Sequence, residues 1–279
     1  MTSYTVQKLS AFSDGNSGGN PAGVVIDETL PEADRMQKIA ADVGFSETAF
    51  AARENDLWRV RYFSPESEVP FCGHATIALG AALAEQNGAG EYRLKLNNAE
   101  ITVSGEKSGD LFKAALQSPP TKSAPADPSL VTEILDLFGY CKDDLDPAIP
   151  PALIEAGATH VIVALNNRET LARMSYDLDK GRELMNRHKL VTIAFVYSET
   201  PQKFHVRNAF ASGGVLEDPA TGAAAAAMAG YLRDIKWPHN GAVALIQGED
   251  MGARSVIEMQ ISSDPGASIK VSGTARYLS

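Results

Sequence analysis

Two short stretches, ATIALGAALAEQNG (75–88) and ATGAAAAAMAGYLRD (220–234), are apolar nearly all round and begin beside a glycine. A surface helix has one apolar stripe and one polar face, and these have neither, so each is expected to be buried on every side. PEADRMQKIAADVG is different. Pro31 suits a first helical turn, Met36, Ile39 and Ala40 share one face, and Gly44 marks a stop, which together describe an amphipathic surface helix. Most remaining apolar runs read as strands from their length and Val/Ile content: TVQKLSAF, AGVVI, LWRVRYF, YRLKLNNAEITV, FKAALQS, THVIVAL, LVTIAFVY, KFHVRNAF, AVALIQG, SVIEMQIS and IKVSG. QSPPTKSAPADPS (117–129), rich in Pro, Ser and Ala, reads as a linker near the middle of the chain.

Composition matters here for what it excludes. The formal charge is −10 and no Lys/Arg-rich run opposes it, so neither a phosphate backbone nor an anionic membrane is an expected partner. No segment reaches 18 uninterrupted apolar residues and no basic-then-apolar leader opens the sequence, so the expected setting is cytoplasmic. Cys72 and Cys141 form neither a disulfide framework nor a CxxC pair. His160, His188, His205 and His239 lack metal-ligand spacing, so no metal site is expected. GNSGGNPAG lacks the order of a phosphate loop and reads as a turn, with Asn20 and Pro21 fixing the chain.

The chain reads as duplicated. VRYFSPESEVPFCGHATIALGAAL runs from strand through loop into an apolar helix, and VRNAFASGGVLEDPATGAAAAAM does the same. Arg61 precedes Cys72 by eleven positions and Arg207 precedes Asp218 by eleven, which aligns Cys72, Gly73 and His74 with Asp218, Pro219 and Ala220. Both helix mouths offer backbone N–H groups and a positive dipole end to a carboxylate or a developing enolate. Glu47, in GFSETAF, has no acidic counterpart in LVTIAFV. Among Phe45, Ala49 and Phe50 it would be partly desolvated, an environment that suits a general base. Strand alternation alone leaves open whether it faces solvent instead. Residues two apart at a turn seldom converge and no third orienting group is evident, so a Cys72/His74 nucleophilic dyad is disfavoured. Cys72 reads as a small buried filler whose loss would spare most activity.

GNPAGVV, GFSETAF, CGHAT (72–76), EDPATG (217–222), and QG followed by MG within 247–252 stand in the order and approximate spacing of the PhzF-like family, which this chain resembles over roughly residues 1–255. The resemblance implies an α+β chain of two similar domains, each a curled, mostly antiparallel sheet or barrel around a central helix, as in diaminopimelate epimerase, with the active site in the cleft between them. The halves are 1–118, joined by a C-terminal strand within 266–279, and 119–265. It also implies a homodimer and an isomerase that needs neither metal nor organic cofactor. The family's catalytic glutamate, histidine and aspartate fall on Glu47, His74 and Asp218. Asn20, Cys72, Gly73, Thr221, Gly222, Ala223, Gln247 and Gly248 fall at its substrate-binding positions. The expected reaction is a proton shift within a small carboxylate-bearing metabolite. The alternatives are an epimerase or racemase using Cys72 and Asp218, and a protein of the same fold that binds a metabolite or partner without turnover. Two departures bear on the carry-over: the serine often found after DPATG is Ala223, and MGRPS reads MGARS at Met251–Ser255.

Overall fold

The computed structural model describes residues 4–278. The fold is α+β and divides into two compact units, one holding the residues through Gln117 with the terminal stretch from Ser272, the other spanning Ser118–Val271.

In unit 1, β1 (Gln7–Ser13) pairs antiparallel with β2 (Asn20–Asp27). After α1 (Ala33–Val43), β3 (Glu47–Glu54) lies parallel to β2 and turns back into β4 (Leu57–Phe63), whose end pairs with the two-residue β5 (Glu68–Val69). Helix α2 (Gly73–Asn87) follows, then β6 (Gly90–Lys95), β7 (Glu100–Ser108) and β8 (Leu111–Gln117), joined as antiparallel neighbours. YRLKLNNAEITV, read above as one strand, is two: Leu96 N–H bonds the Ala99 carbonyl and Asn97–Asn98 make a hairpin tip, residues with ready access to turn conformations.

Strand alternation sorts this unit's side chains into two layers. Val25, Phe50 and Phe63 pack on Met36, Ile39 and Ala40 of α1, whose N-cap is Glu32 and which ends at Gly44 with φ 71°. Ala22, Val24, Glu47 and Ala49 alternate with these and turn to the other side, where α2 is buried continuously from Gly73 to Ala84. The small residues of α2 allow close approach: a Cβ on Gly105 of β7 would run into the Gly80 carbonyl.

Unit 2 repeats the plan. β9 (Lys122–Pro125) pairs with β10 (Ala152–Glu155), and between them lies α3 (Pro128–Phe138), capped by the Asp127 carboxylate on Ser129 N–H. Residues 117–129 are therefore no free linker. They supply a strand and a helix start, and Ser118 and Thr121 donate backbone N–H groups to the Ile269 and Gly266 carbonyls. β11 (Thr159–Ala164) runs parallel to β12 (Thr192–Thr200), with α4 (Arg168–Ala172) and α5 (Leu178–Arg187) between them. β13 (Lys203–Ala209) pairs with β12 and with the two-residue β14 (Glu217–Asp218). Helix α6 (Gly222–Asp234) follows, buried through nearly all its length, then β15 (Ala242–Gln247) and β16 (Ser255–Gln260). Val161, Val163, Ile193 and Phe195 pack on α3, α4 and α5, so His160 and Thr192, one residue out of step, turn to the α6 side. The last strand, β17 (Lys270–Tyr277), pairs through Ala275 and Arg276 with Ala11 and Ser10 of β1.

Register makes the duplication explicit and corrects its alignment. Thr48 faces Phe63, which faces Glu68, while Ile193 faces Ala209, which faces Glu217. Arg61 is bonded bidentately to Glu68, and Arg207 to Glu217. From these anchors Val69 matches Asp218, the N-cap Cys72 matches the N-cap Thr221, and His74 matches Ala223. The eleven-position spacing misled because unit 2 carries three more residues between arginine and glutamate, accommodated by the Ala211–Gly213 turn. By the same register Glu47 matches Thr192 and Ala22 matches His160.

Candidate active site

Glu47 opens β3 with its side chain 12% exposed, on the α2 side of the sheet, so the solvent-facing alternative does not apply. Its Oε2 lies 3.4 Å from His74 Nε2, and Ser46 Oγ is 3.3 Å from the same nitrogen. On the opposite edge of the ring, His74 Nδ1 lies 3.4 Å from Cys72 Sγ. The expectation that Cys72 and His74 would not converge is thus corrected, and a third group does orient the ring. The reason is local: Cys72 is an N-cap in extended conformation (φ −142°, ψ 116°), which lays its side chain over the first helical turn, and His74 is the second residue of that turn. The thiol makes no capping bond to the backbone. The turn is braced from below by Thr76, whose hydroxyl donates to the Cys72 carbonyl (2.6 Å) and meets the Tyr62 hydroxyl at 2.7 Å. Asn20, at the head of β2, is buried and faces Ala11.

One ligand-type atom from each of Glu47, Cys72 and His74 can be chosen so that all three lie within 4.8 Å of one another. Sulfur and carboxylate nevertheless approach opposite ring nitrogens, and one metal ion binds only one of them. The arrangement is a row of close contacts, carboxylate to imidazole to thiol, in which the ring's hydrogen bonds go to Ser46 and Cys72.

In unit 2 a second polar group is built around Asp218. Thr221 Oγ1 donates to Asp218 Oδ2 at 2.5 Å and accepts from Gln247 Nε2 at 3.0 Å. Gln247 Nε2 also donates to the Asp218 carbonyl (2.7 Å), while its Oε1 accepts from Thr221 N–H (3.2 Å), which fixes the amide's orientation. The proton order runs from amide to hydroxyl to carboxylate, so Asp218 is held as an acceptor. Gly222 and Ala223 open α6, and Ala223 offers no polar side chain where unit 1 has His74. Gly248 (φ 72°) lets the chain pass the Asp218–Thr221 loop, since a Cβ there would come 2.8 Å from the Pro219 carbonyl oxygen. Both N-cap side chains, Cys72 and Thr221, face site residues instead of capping their helices. Sequence reading missed Ser46 and the Tyr62–Thr76 brace; adjacency to Glu47 was the only available signal for Ser46.

At the Ala22 and Glu47 positions unit 2 carries His160 and Thr192, bonded through Nδ1 and Oγ1 at 2.7 Å. Burial pushes the His160 imidazole down from 6.5 to about 4. Between those values the unfolded chain binds a proton that the folded chain excludes, so stability is complete above the upper value and falls as pH drops through the window, by up to ~3 kcal/mol at its foot. His160→Gln, which does not titrate, is expected to flatten the decline of the urea midpoint between pH 7 and 4. An undiminished decline would contradict this account.

The likenesses to known proteins agree with this architecture. The chain superposes on the Bacillus anthracis phenazine biosynthesis protein of the PhzF family with a TM-score of 0.87, at 24% identity over 100% of this chain and 98% of that one. It matches a proline racemase fold from Agrobacterium radiobacter K84 with a TM-score of 0.68, at 11% identity over 99% and 91%. In sequence it is 30% identical to the uncharacterized isomerase YddE of Escherichia coli K12 over 98% of this chain and 96% of that protein, and 31% identical to an uncharacterized isomerase of Deinococcus radiodurans over 94% and 87%. The sequence relatives define an isomerase, and the solved structures give it an epimerase-like fold. The family description "Phenazine biosynthesis-like protein" matches residues 9–279, and the chain belongs to that PhzF family.

Proposed function

We propose that the protein moves a proton between carbon atoms of a small carboxylate-bearing metabolite, with Glu47 as the general base. The observation that carries this reading is the Glu47–His74 contact: a largely buried carboxylate, 3.4 Å from an imidazole nitrogen, beside the first turn of a long buried helix. Glu47 takes a proton from carbon next to a carboxylate or double bond and returns one at another carbon of the same molecule. His74 holds the carboxylate in place and shares the handling of its proton. The N–H groups at the start of α2 and α6 stabilise the electron-rich intermediate, a contribution of a few kcal/mol for each well-placed donor.

Asp218, held as an acceptor by Thr221, binds a hydroxyl or ammonium group of the ligand. No step is assigned to a metal or an organic cofactor. The alternative, an epimerase using Cys72 and Asp218, would draw its two acid/bases from positions that do not correspond in the two units, Thr221 being the match of Cys72. A homodimer remains part of the proposal.

The test begins with a thermal-shift screen of cyclic and amino-acid carboxylates. A ligand present at a hundred times its Kd adds roughly 2.7 kcal/mol to native stability. Bound compounds are then incubated with the protein and analysed for positional isomers. Carboxylates that bind and are never isomerised would favour a binding protein of the same fold.

A further inference from the structure

We propose that Cys72 is a positioning residue: its thiol donates to His74 Nδ1, holds the ring as the Nε2–H tautomer aimed at Glu47, and releases that arrangement when it loses its proton. The proposal rests on the preceding reading only in taking Glu47 as ionised before reaction.

The argument starts from the ring's two edges. Nε2 faces Glu47 Oε2 at 3.4 Å and Ser46 Oγ at 3.3 Å, while Nδ1 faces Cys72 Sγ at 3.4 Å. A neutral imidazole carries one N–H and one lone pair. An ionised carboxylate can only accept, so the N–H belongs on Nε2, and a lone pair there would face negative charge. Nδ1 is then an acceptor, and the group facing it is a thiol that can donate. Burial of both side chains, with Cys72 8% and His74 5% exposed, leaves little room for water to replace the thiol.

The sulfur therefore has two states with opposite demands. As a thiol it donates to Nδ1 and leaves Nε2–H on the carboxylate. As a thiolate it can only accept. Nδ1 then carries the proton to the thiolate, and the lone pair left on Nε2 takes the Ser46 hydroxyl, 3.3 Å away, as its donor. Only bonds to hydrogen change in this step: S–H breaks and its proton leaves to solvent, while Nε2–H breaks and Nδ1–H forms. The titratable groups described around this chain are Glu47 on β3, His74 on α2 and Tyr62 on β4. Burial holds the Tyr62 phenol above its ordinary range, and it bonds Thr76. Serine in place of Cys72 would donate in the same way and would not ionise.

The experiment is a ¹⁵N nuclear magnetic resonance titration of histidine-labelled resting protein, with no ligand, the His74 signals being assigned by their loss in His74→Gln. Near neutral pH the wild type should show a protonated Nε2 and an Nδ1 displaced from the position of a bare ring nitrogen by its hydrogen bond. Cys72→Ser should keep that displacement and Cys72→Ala should lose it. At alkaline pH the wild type should move its ring proton to Nδ1, and neither variant should. An Nδ1 signal unchanged between wild type and Cys72→Ala, or an alkaline switch that persists in Cys72→Ser, overturns the proposal. A fully active Glu47→Gln would instead remove the base assignment while leaving these ring signals as they are.

Discussion

Glu47→Gln is expected to fold as the wild type does, to bind the same carboxylate ligand, and to lose at least ~10²-fold in proton transfer. The substitution keeps the volume and one acceptor oxygen, so packing beside α2 is preserved and His74 Nε2–H retains a partner. What it removes is the carboxylate base, leaving a neutral amide that cannot take a carbon-bound proton. The separation of effects is informative: a fall in kcat with binding intact is the mark of an interaction made in the transition state alone. Asp218→Asn would slow turnover too if the aspartate holds the ligand, so the pH–rate profile decides between them. The limb assigned to the base should vanish in the Glu47 variant and persist in the Asp218 variant.

The largest expected loss of stability comes from one member of a duplicated ion pair. Arg207 and Glu217 have side chains only 13% and 5% exposed, and the guanidinium also donates to the Ala172 and Met174 carbonyls. Glu217→Ala would leave a largely buried cation without the carboxylate bonded to it, at a cost of about 3–5 kcal/mol. The corresponding pair in unit 1, Arg61 and Glu68, is 23% and 28% exposed, so water can replace the carboxylate, and Glu68→Ala should cost roughly 1 kcal/mol or less. Urea unfolding of the two variants side by side checks the contrast. Equal losses would show that burial does not distinguish the pairs.

The parts of this molecule that a sequence can express were readable from it. Helices α1, α2 and α6 followed from their apolar periodicity, or the lack of any, because a face without polar residues has nowhere to go except inside. Most strands followed from alternation and branched side chains. The hairpin break at Asn97–Asn98 was missed because two polar residues inside a strand-like run look the same whether they face solvent or turn. The segment 117–129 looked like a linker because Pro and Ser favour loops, and its pairing partners lie far away in sequence, at 152–155 and 266–269.

For the site, GFSETAF and CGHAT named Glu47 and His74 but not their contact. The approach of Cys72 to His74 depends on the extended backbone of an N-cap, which spacing alone does not encode. The internal alignment slipped by three residues because the Ala211–Gly213 turn lengthens one copy, and only strand register reveals where such residues were inserted.

The central claim, that a carbon-bound proton leaves its substrate at this site, is tested most directly by turning over a bound carboxylate in deuterated water and locating deuterium by nuclear magnetic resonance. The wild type should place deuterium on carbon at the rate of isomerisation or faster, and Glu47→Gln should do so at least ~10²-fold more slowly. Isomerisation by Glu47→Gln at the wild-type rate, with the same deuterium content, would contradict the account.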